Sequence, residues 1–239
     1  MAKAHAIFAV LLFLPALAFA GDGSVRTVAS IYDNAPRLKD IRARIVADEP
    51  VTITELQILA DVGDGLAAYK LAERLLAMNR PDLNGKAAHY LAIAVNDGRT
   101  YAVPPLFAIL SDRTSDISPV RLAHIENALN RQAATGDPAS VLALARLYLQ
   151  GHPFGARPEK AKALLRAAVD QQFVDEALAL QMAMLIASGA PLTTEDEAAV
   201  RAYLRVAQKS PDIGTRTAAE NLLRAFAEPE ALSGEDEHG

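Results

Sequence analysis

The chain of 239 residues has no cysteine and no tryptophan, and aromatic residues make up only 5% of it. Without cysteine there is no disulfide framework and no lipid-attachment site, so stability has to come from packing alone. Clustered basic residues are also missing. The formal net charge is −5, and Arg74, Arg80, Arg113, Arg121, Arg131 and Arg146 are scattered singly. A nucleic-acid partner needs basic clusters to replace counterions, so DNA and RNA binding are not expected. Long apolar runs are absent beyond the first twenty residues. No later stretch reaches the roughly 18 uninterrupted apolar residues of a membrane span, so no membrane insertion is expected of the processed chain.

The usual signatures of chemistry are absent too. There is no Gly-x-Ser-x-Gly, no phosphate loop and no dinucleotide fingerprint. His89, His124 and His152 have no second histidine or carboxylate at a metal-ligand offset such as i, i+4. His5 and His238 lie at the two ends of the chain. Asp61 with Asp64, and Asp112 with Asp116, are carboxylate pairs of a kind common in loops, and nothing in the sequence aims either pair at a cleft. The expectation is a protein without catalytic residues, cofactor or metal.

What is present is alanine and leucine. Hydrophobic residues are 51% of the chain, and most of them are these two strong helix formers. The N-terminus reads as an export signal: Lys3, an apolar stretch from Ala6 to Leu14, Pro15, then Ala18-Phe19-Ala20. That triplet predicts cleavage between Ala20 and Gly21, with an uncleaved anchor as the alternative. The signal looks bacterial, so the expected location is the periplasm, with secretion as the alternative. Residues 21–62 should supply a flexible start through Thr27, a helix over Asn34 to Asp48 and a capping helix from Thr52 to Ala60. Thr52 and Glu55 offer a capping box at the start of the latter. The tail, residues 228–239, carries Glu228, Glu230, Glu235, Asp236 and Glu237 and reads as disordered. An acidic lure for a basic partner is the other reading of that tail.

Between these ends the chain repeats. The clearest unit starts at Gly136-Asp137-Pro138. Asp137 can cap a helix and Pro138 suits its first position. Ser140, Leu144, Tyr148 and Gly151 follow at steps of four, four and three, one face of a helix that Gly151 can end. Pro158 then opens a second helix with Lys160, Ala161, Leu164, Leu165 and Ala168. Upstream, Gly63-Asp64 precedes Ala67, Leu71, Ala72 and Leu75, and Lys86, Ala87, Tyr90, Leu91, Ala94 and Gly98 repeat the second helix. A third copy has Ala102, Leu106, Phe107 and Leu110, then Ser118-Pro119 opening Ile125, Ala128, Leu129 and Ala133. A fourth has Met182, Ala183, Ile186 and Gly189, then Thr194 with Glu197 as a capping box before Tyr203, Leu204 and Ala207. A half-unit holds Gly214, Ala218, Leu222 and Phe226. The period is about 36 residues, the size of a tetratricopeptide-like helix–turn–helix.

The pattern Gly-x-x-x-Ala-x-x-x-Leu-Gly/Ala-x-x-Tyr-x-x-Gly, then Lys-Ala-x-x-x-Leu-x-x-Ala-Ala, resembles the Sel1-like repeat, best over Gly136 to Gln172. The third and fourth units depart from it: His124 stands where Lys is usual, Leu178 replaces the small Ala and Val174 replaces the Gly. The resemblance implies an all-α fold, an α-α superhelix or solenoid over residues 63–227. Leu71, Ala72, Ala94, Leu144, Ala145, Tyr148, Gly151, Leu165 and Ala168 would be its packing residues. It also implies a protein-binding role. Exported members of the family include periplasmic regulators that bind sensor kinases and scaffolds of exopolysaccharide synthesis or export. Other relatives are linked to peptidoglycan or β-lactam compounds, but that group is cysteine-rich and this chain is not. A cell-wall-ligand binder or hydrolase is therefore the alternative, and a structural spacer the third possibility. A binder should expose an apolar or aromatic patch, for which Tyr101, Phe107 and Phe154 are the candidates, with Phe154 tucked back under its own repeat as the other reading of its loop.

Overall fold

A computed structural model describes residue 32 and residues 35–169, 175–189 and 191–226. The export signal and its cleavage point, the flexible start, Asn34, Gln172, Val174 and the acidic tail lie outside the described residues. Within them the fold is all-α: eleven α-helices, two short 3₁₀ turns and no strand. The helices are α1 (Pro36–Val46), α2 (Ile53–Asp61), α3 (Gly65–Ala77), α4 (Asn84–Asn96), α5 (Val103–Ser111) and α6 (Pro119–Ala134). They continue as α7 (Pro138–Gln150), α8 (Pro158–Ala167), α9 (Glu176–Ala187), α10 (Thr194–Ala207) and α11 (Ile213–Ala225).

One device starts four of the helices. Asp64, Asp137, Asp175 and Asp212 sit just before α3, α7, α9 and α11, and each accepts the N–H three residues on, at 2.7–2.8 Å. The carboxylate satisfies an orphan donor and sits favourably at the positive end of the helix. The cap also fixes which residues face inward. Seven, eight and eleven residues after Asp64 come Leu71, Ala72 and Leu75; after Asp137, Leu144, Ala145 and Tyr148; after Asp175, Met182, Ala183 and Ile186. All nine are buried. The seventh position after Asp212 is Ala219, so in α11 the buried alanine is Ala219, not Ala218, and Gly214 is exposed.

Two other expected caps differ in detail. The capping box of α10 is Thr193 with Asp196, one residue earlier than Thr194 with Glu197. Thr193 keeps an extended backbone, so its Oγ1 accepts the Asp196 N–H at 3.1 Å while Asp196 accepts the Thr193 N–H at 3.0 Å. Ser118 precedes α6 but its side chain caps nothing; Pro119 alone opens that helix. The box of α2 is Thr52 with Glu55. α7 ends at Gly151, whose φ of +74° is the left-handed conformation that glycine adopts without strain.

Packing follows chain order. α1 packs on α2, α2 on α3 and α3 on α4; α5 and α6 both pack on α4 and on α7; α8 packs on α7 and α10, and α11 on α9 and α10. The principal contacts join helices no more than two apart in sequence. Small residues let the helices approach: Ala72, Ala87, Ala88, Ala94, Ala145 and Ala161 are all fully buried. Polar clips join the second helices. The Tyr90 hydroxyl of α4 donates to Asp61 of α2 at 2.9 Å, and Lys86 reaches Gln57 at 3.2 Å. Glu126 of α6 accepts from the Tyr148 hydroxyl at 2.7 Å and pairs with Arg157 at 2.6 Å and Lys160 at 3.4 Å. Asp196 of α10, fully buried, takes Lys162 at 3.3 Å and Arg166 at 2.7 Å from α8.

Candidate partner-binding face

Among α3, α5, α7 and α9, the register set by the caps breaks at α5. No aspartate precedes it. Its start is a 3₁₀ turn over Thr100–Ala102 followed by Val103-Pro104-Pro105, and no side chain caps it. The prolines need no N–H partner, which makes a cap dispensable. Leu106 still takes the buried place that Leu71, Leu144 and Met182 hold elsewhere. The residue after it, however, is Phe107 where the other helices have Ala72, Ala145 and Ala183. A ring cannot enter a slot built for a methyl group, and Phe107 stays half-buried.

Beside Phe107 lies a groove of about 160 Å³, lined by Val103, Pro104, Ala139, Leu142, Ala143 and Arg146. The lining is almost wholly apolar, with the Arg146 guanidinium as its polar element. Arg146 donates to Gln181 of α9 at 2.7 Å, which holds it across the gap between α7 and α9. Further along α9, Met184 is 54% exposed. In the turn before α5, Tyr101 is 47% exposed, packs edge-on against Tyr69 of α3 with ring centres 4.6 Å apart, and accepts from Arg99 at 3.1 Å. Burial and the neighbouring Glu73 push the Tyr69 phenol above its ordinary range, so Tyr69 is a neutral hydrogen-bond donor at physiological pH. Tyr69, Phe107, Leu142 and Met184 thus lie on the first helices of successive hairpins, and Tyr101 lies in the turn that leads into α5.

The expected contact residues separate. Tyr101 and Phe107 are on this face. Phe154 is not: it is 7% exposed, with its ring 6.2 Å from that of Tyr148. The loop after α7 folds back, with the Arg157 N–H donating to the Tyr148 carbonyl at 2.9 Å, and the fold-back puts Phe154 underneath. The outer part of that loop, His152 and Pro153, borders a second hollow of about 160 Å³ with Ile109, Leu110, Asp112, Asp116, Ile117 and Leu122. The expected packing residues Leu71, Ala72, Ala94, Leu144, Ala145, Tyr148, Leu165 and Ala168 are buried. Arg146, Leu142 and Met184 were not legible as surface residues from composition. The signal that could have found the groove is the missing aspartate before α5, since a unit that drops the cap also drops the alanine.

Three of the four carboxylates flagged in the sequence, Asp61, Asp64 and Asp112, have structural partners. Asp61 accepts from Tyr90, and Asp64 caps α3 and pairs with Arg42 at 2.7 Å. Asp112 accepts from the Thr114 N–H and hydroxyl at 2.9 and 2.8 Å. Asp97 approaches Asp64 and is pushed up by burial and then by the Asp64 charge, against the pull of Arg99 at 3.2 Å. It sits so close to the start of α3 that a side chain on Gly65 would fall 2.3 Å from its Oδ2.

Comparison of the chain with protein-family models, curated proteins and solved structures finds no match. Among the described residues, no three His, Asp or Glu side chains gather as a metal-holding group, and no helix is long and apolar enough to cross a membrane.

Proposed function

We propose that this protein is an exported, non-catalytic adaptor of the Sel1-like type, a solenoid of helical hairpins that binds a partner protein through the face formed by α3, α5, α7 and α9. The observation that carries the reading is the groove beside Phe107: apolar, about 160 Å³ and open, with Tyr101 exposed in the turn that leads into the same helix. A shallow apolar slot with one guanidinium at its edge suits an apolar anchor residue of a peptide or helix with a polar group beside it. The solenoid reading rests on the recurring aspartate cap and buried triplet, and on principal contacts confined to near neighbours in the chain. Each hairpin then leans only on its neighbours and presents its first helix on a common face. The family resemblance suggests envelope signalling or exopolysaccharide synthesis and export as the setting, with the periplasm as the compartment.

The test is a photo-reactive amino acid placed at position 107, 101 or 120 in producing cells. Val120 is 81% exposed on α6 and serves as the reference position. A discrete protein adduct from 107 and 101, absent from 120 and lost on Arg146→Glu, supports the reading. Equal adducts from all three positions, or none, overturn it. Osmotic-shock fractionation of the same cells tests the compartment, and a mature chain retained in the cytosol would defeat the exported part.

A further inference from the structure

The repeat brings together two histidines that the sequence keeps 35 residues apart. His89 of α4 and His124 of α6 stack across the seam between these helices, with ring centres 5.4 Å apart and planes inclined at 48°. His89 Nδ1 and His124 Nε2 are both buried and neither has a hydrogen-bond partner. One orphaned imidazole nitrogen is uncommon, and two on neighbouring rings call for a ligand that serves both. Both residues are half-buried, so each ring keeps an exposed edge although the two orphaned nitrogens point inward from it.

The spacing discriminates between candidates. With metal–nitrogen bonds of about 2.0–2.1 Å, two imidazoles on one tetrahedral ion have ring centres about 5.2 Å apart, while a square-planar cis pair brings them to about 4.5 Å. The observed 5.4 Å lies by the tetrahedral value. We propose that His89 and His124 are the protein ligands of a tetrahedral divalent-metal site of the zinc type, bridging α4 and α6.

Imidazole binds metal in its neutral form. Burial, then the His124 and Arg121 charges, lower the pKa of His89 and favour that form, while Asp61 acts the other way. Two protein ligands leave two positions for water, since among the described residues no third His, Asp or Glu joins the pair as a metal-holding group. The Arg121 guanidinium opposes an incoming cation, and the Asp61 carboxylate, held by the Tyr90 hydroxyl, favours one.

The experiment is calorimetric titration of the full chain, purified without a histidine tag, with Zn²⁺, and spectroscopy with Co²⁺ as a probe of geometry. One ion per chain is expected, with the intense visible bands of tetrahedral Co²⁺. His89→Ala and His124→Ala should each weaken binding by at least about tenfold, as loss of one of two ligands requires. His152→Ala should leave it unchanged, and Arg121→Ala should tighten it. Circular dichroism of each variant, together with His89→Gln and His124→Gln, separates loss of a ligand from loss of the fold. Binding that survives the double His89→Ala/His124→Ala variant, an octahedral Co²⁺ spectrum, or no binding by the wild-type chain would overturn the proposal.

Discussion

The hairpins α7–α8 and α5–α6 follow one plan and use it differently. In α7–α8 an aspartate caps the first helix, the buried triplet is Leu144, Ala145 and Tyr148, and the connecting loop folds back to bury Phe154. In α5–α6 the cap is gone, Phe107 replaces the alanine, and the connector closes on itself through Asp112 and Thr114. The first hairpin uses its apolar surface for packing. The second leaves a groove on one side of α5 and a hollow on the other. Local decay of a packing motif is what creates open surface in an otherwise close-packed array, because neighbouring hairpins still fix the position of the defective one.

The sharpest way to break this comparison is to truncate the aromatic in each hairpin. Tyr148→Ala removes a fully buried ring and the hydroxyl that Glu126 accepts from, so it should cost about 3–5 kcal/mol, read as a lower urea midpoint. Phe107→Ala removes a half-buried ring and should cost about 1 kcal/mol. If the two variants melt alike, the contrast between the hairpins is wrong. A second pair exchanges size at the matching position. Ala145→Leu forces bulk into a closed slot and should cost about 1–3 kcal/mol, while Phe107→Leu should change stability by about 0.5 kcal/mol or less.

The helices were legible because their starts are chemically marked. Asp137-Pro138, Thr52 with Glu55, and Gly151 carry the cap geometry in their side chains or in their freedom of φ, and local chemistry of that kind survives folding. The register of α10 was misplaced by one residue because Thr193 and Thr194 are equivalent in sequence. What selects Thr193 is distant: the acid three residues on from it is Asp196, which Lys162 and Arg166 of α8 also require. The histidine pair was illegible for the same reason, and the sequence left the burial of Phe154 as one of two readings. Two imidazoles one repeat apart are brought together by stacking, and no short window of sequence contains both members.

A gentler comparison tests the caps themselves. Asp137→Ala removes the acceptor of the Ser140 N–H and should destabilise by about 1 kcal/mol in a thermal or urea melt. Ser118→Ala touches a residue of the same capping class whose side chain accepts nothing, so it should fall within about 0.5 kcal/mol of the wild type. Equal losses would mean that Ser118 caps α6 in solution and that the α5–α6 hairpin is as well marked as its neighbour.

The smallest effect is a dependence on pH, and it reads the contact between the two hairpins directly. Burial alone would raise the pKa of Glu126, but the Tyr148 hydroxyl, Arg157 and Lys160 together hold it below the ordinary glutamate range. Its carboxylate therefore stabilises the fold fully above the pKa it has in the unfolded chain. That contribution fades as pH falls through the lower, folded pKa, because protonation removes the charge that Arg157 and Lys160 face. In Glu126→Gln the acceptor for Tyr148 remains but the charge does not. The difference in stability between wild type and variant should hence be constant near neutral pH and shrink below about pH 4.5, where the carboxylate of the unfolded chain begins to take up its proton, until the folded one has done so too. A difference that stays constant down to strongly acid solution would show that the charge of Glu126 contributes nothing to joining α6 with α7 and α8, leaving the apolar seam to hold the two hairpins alone.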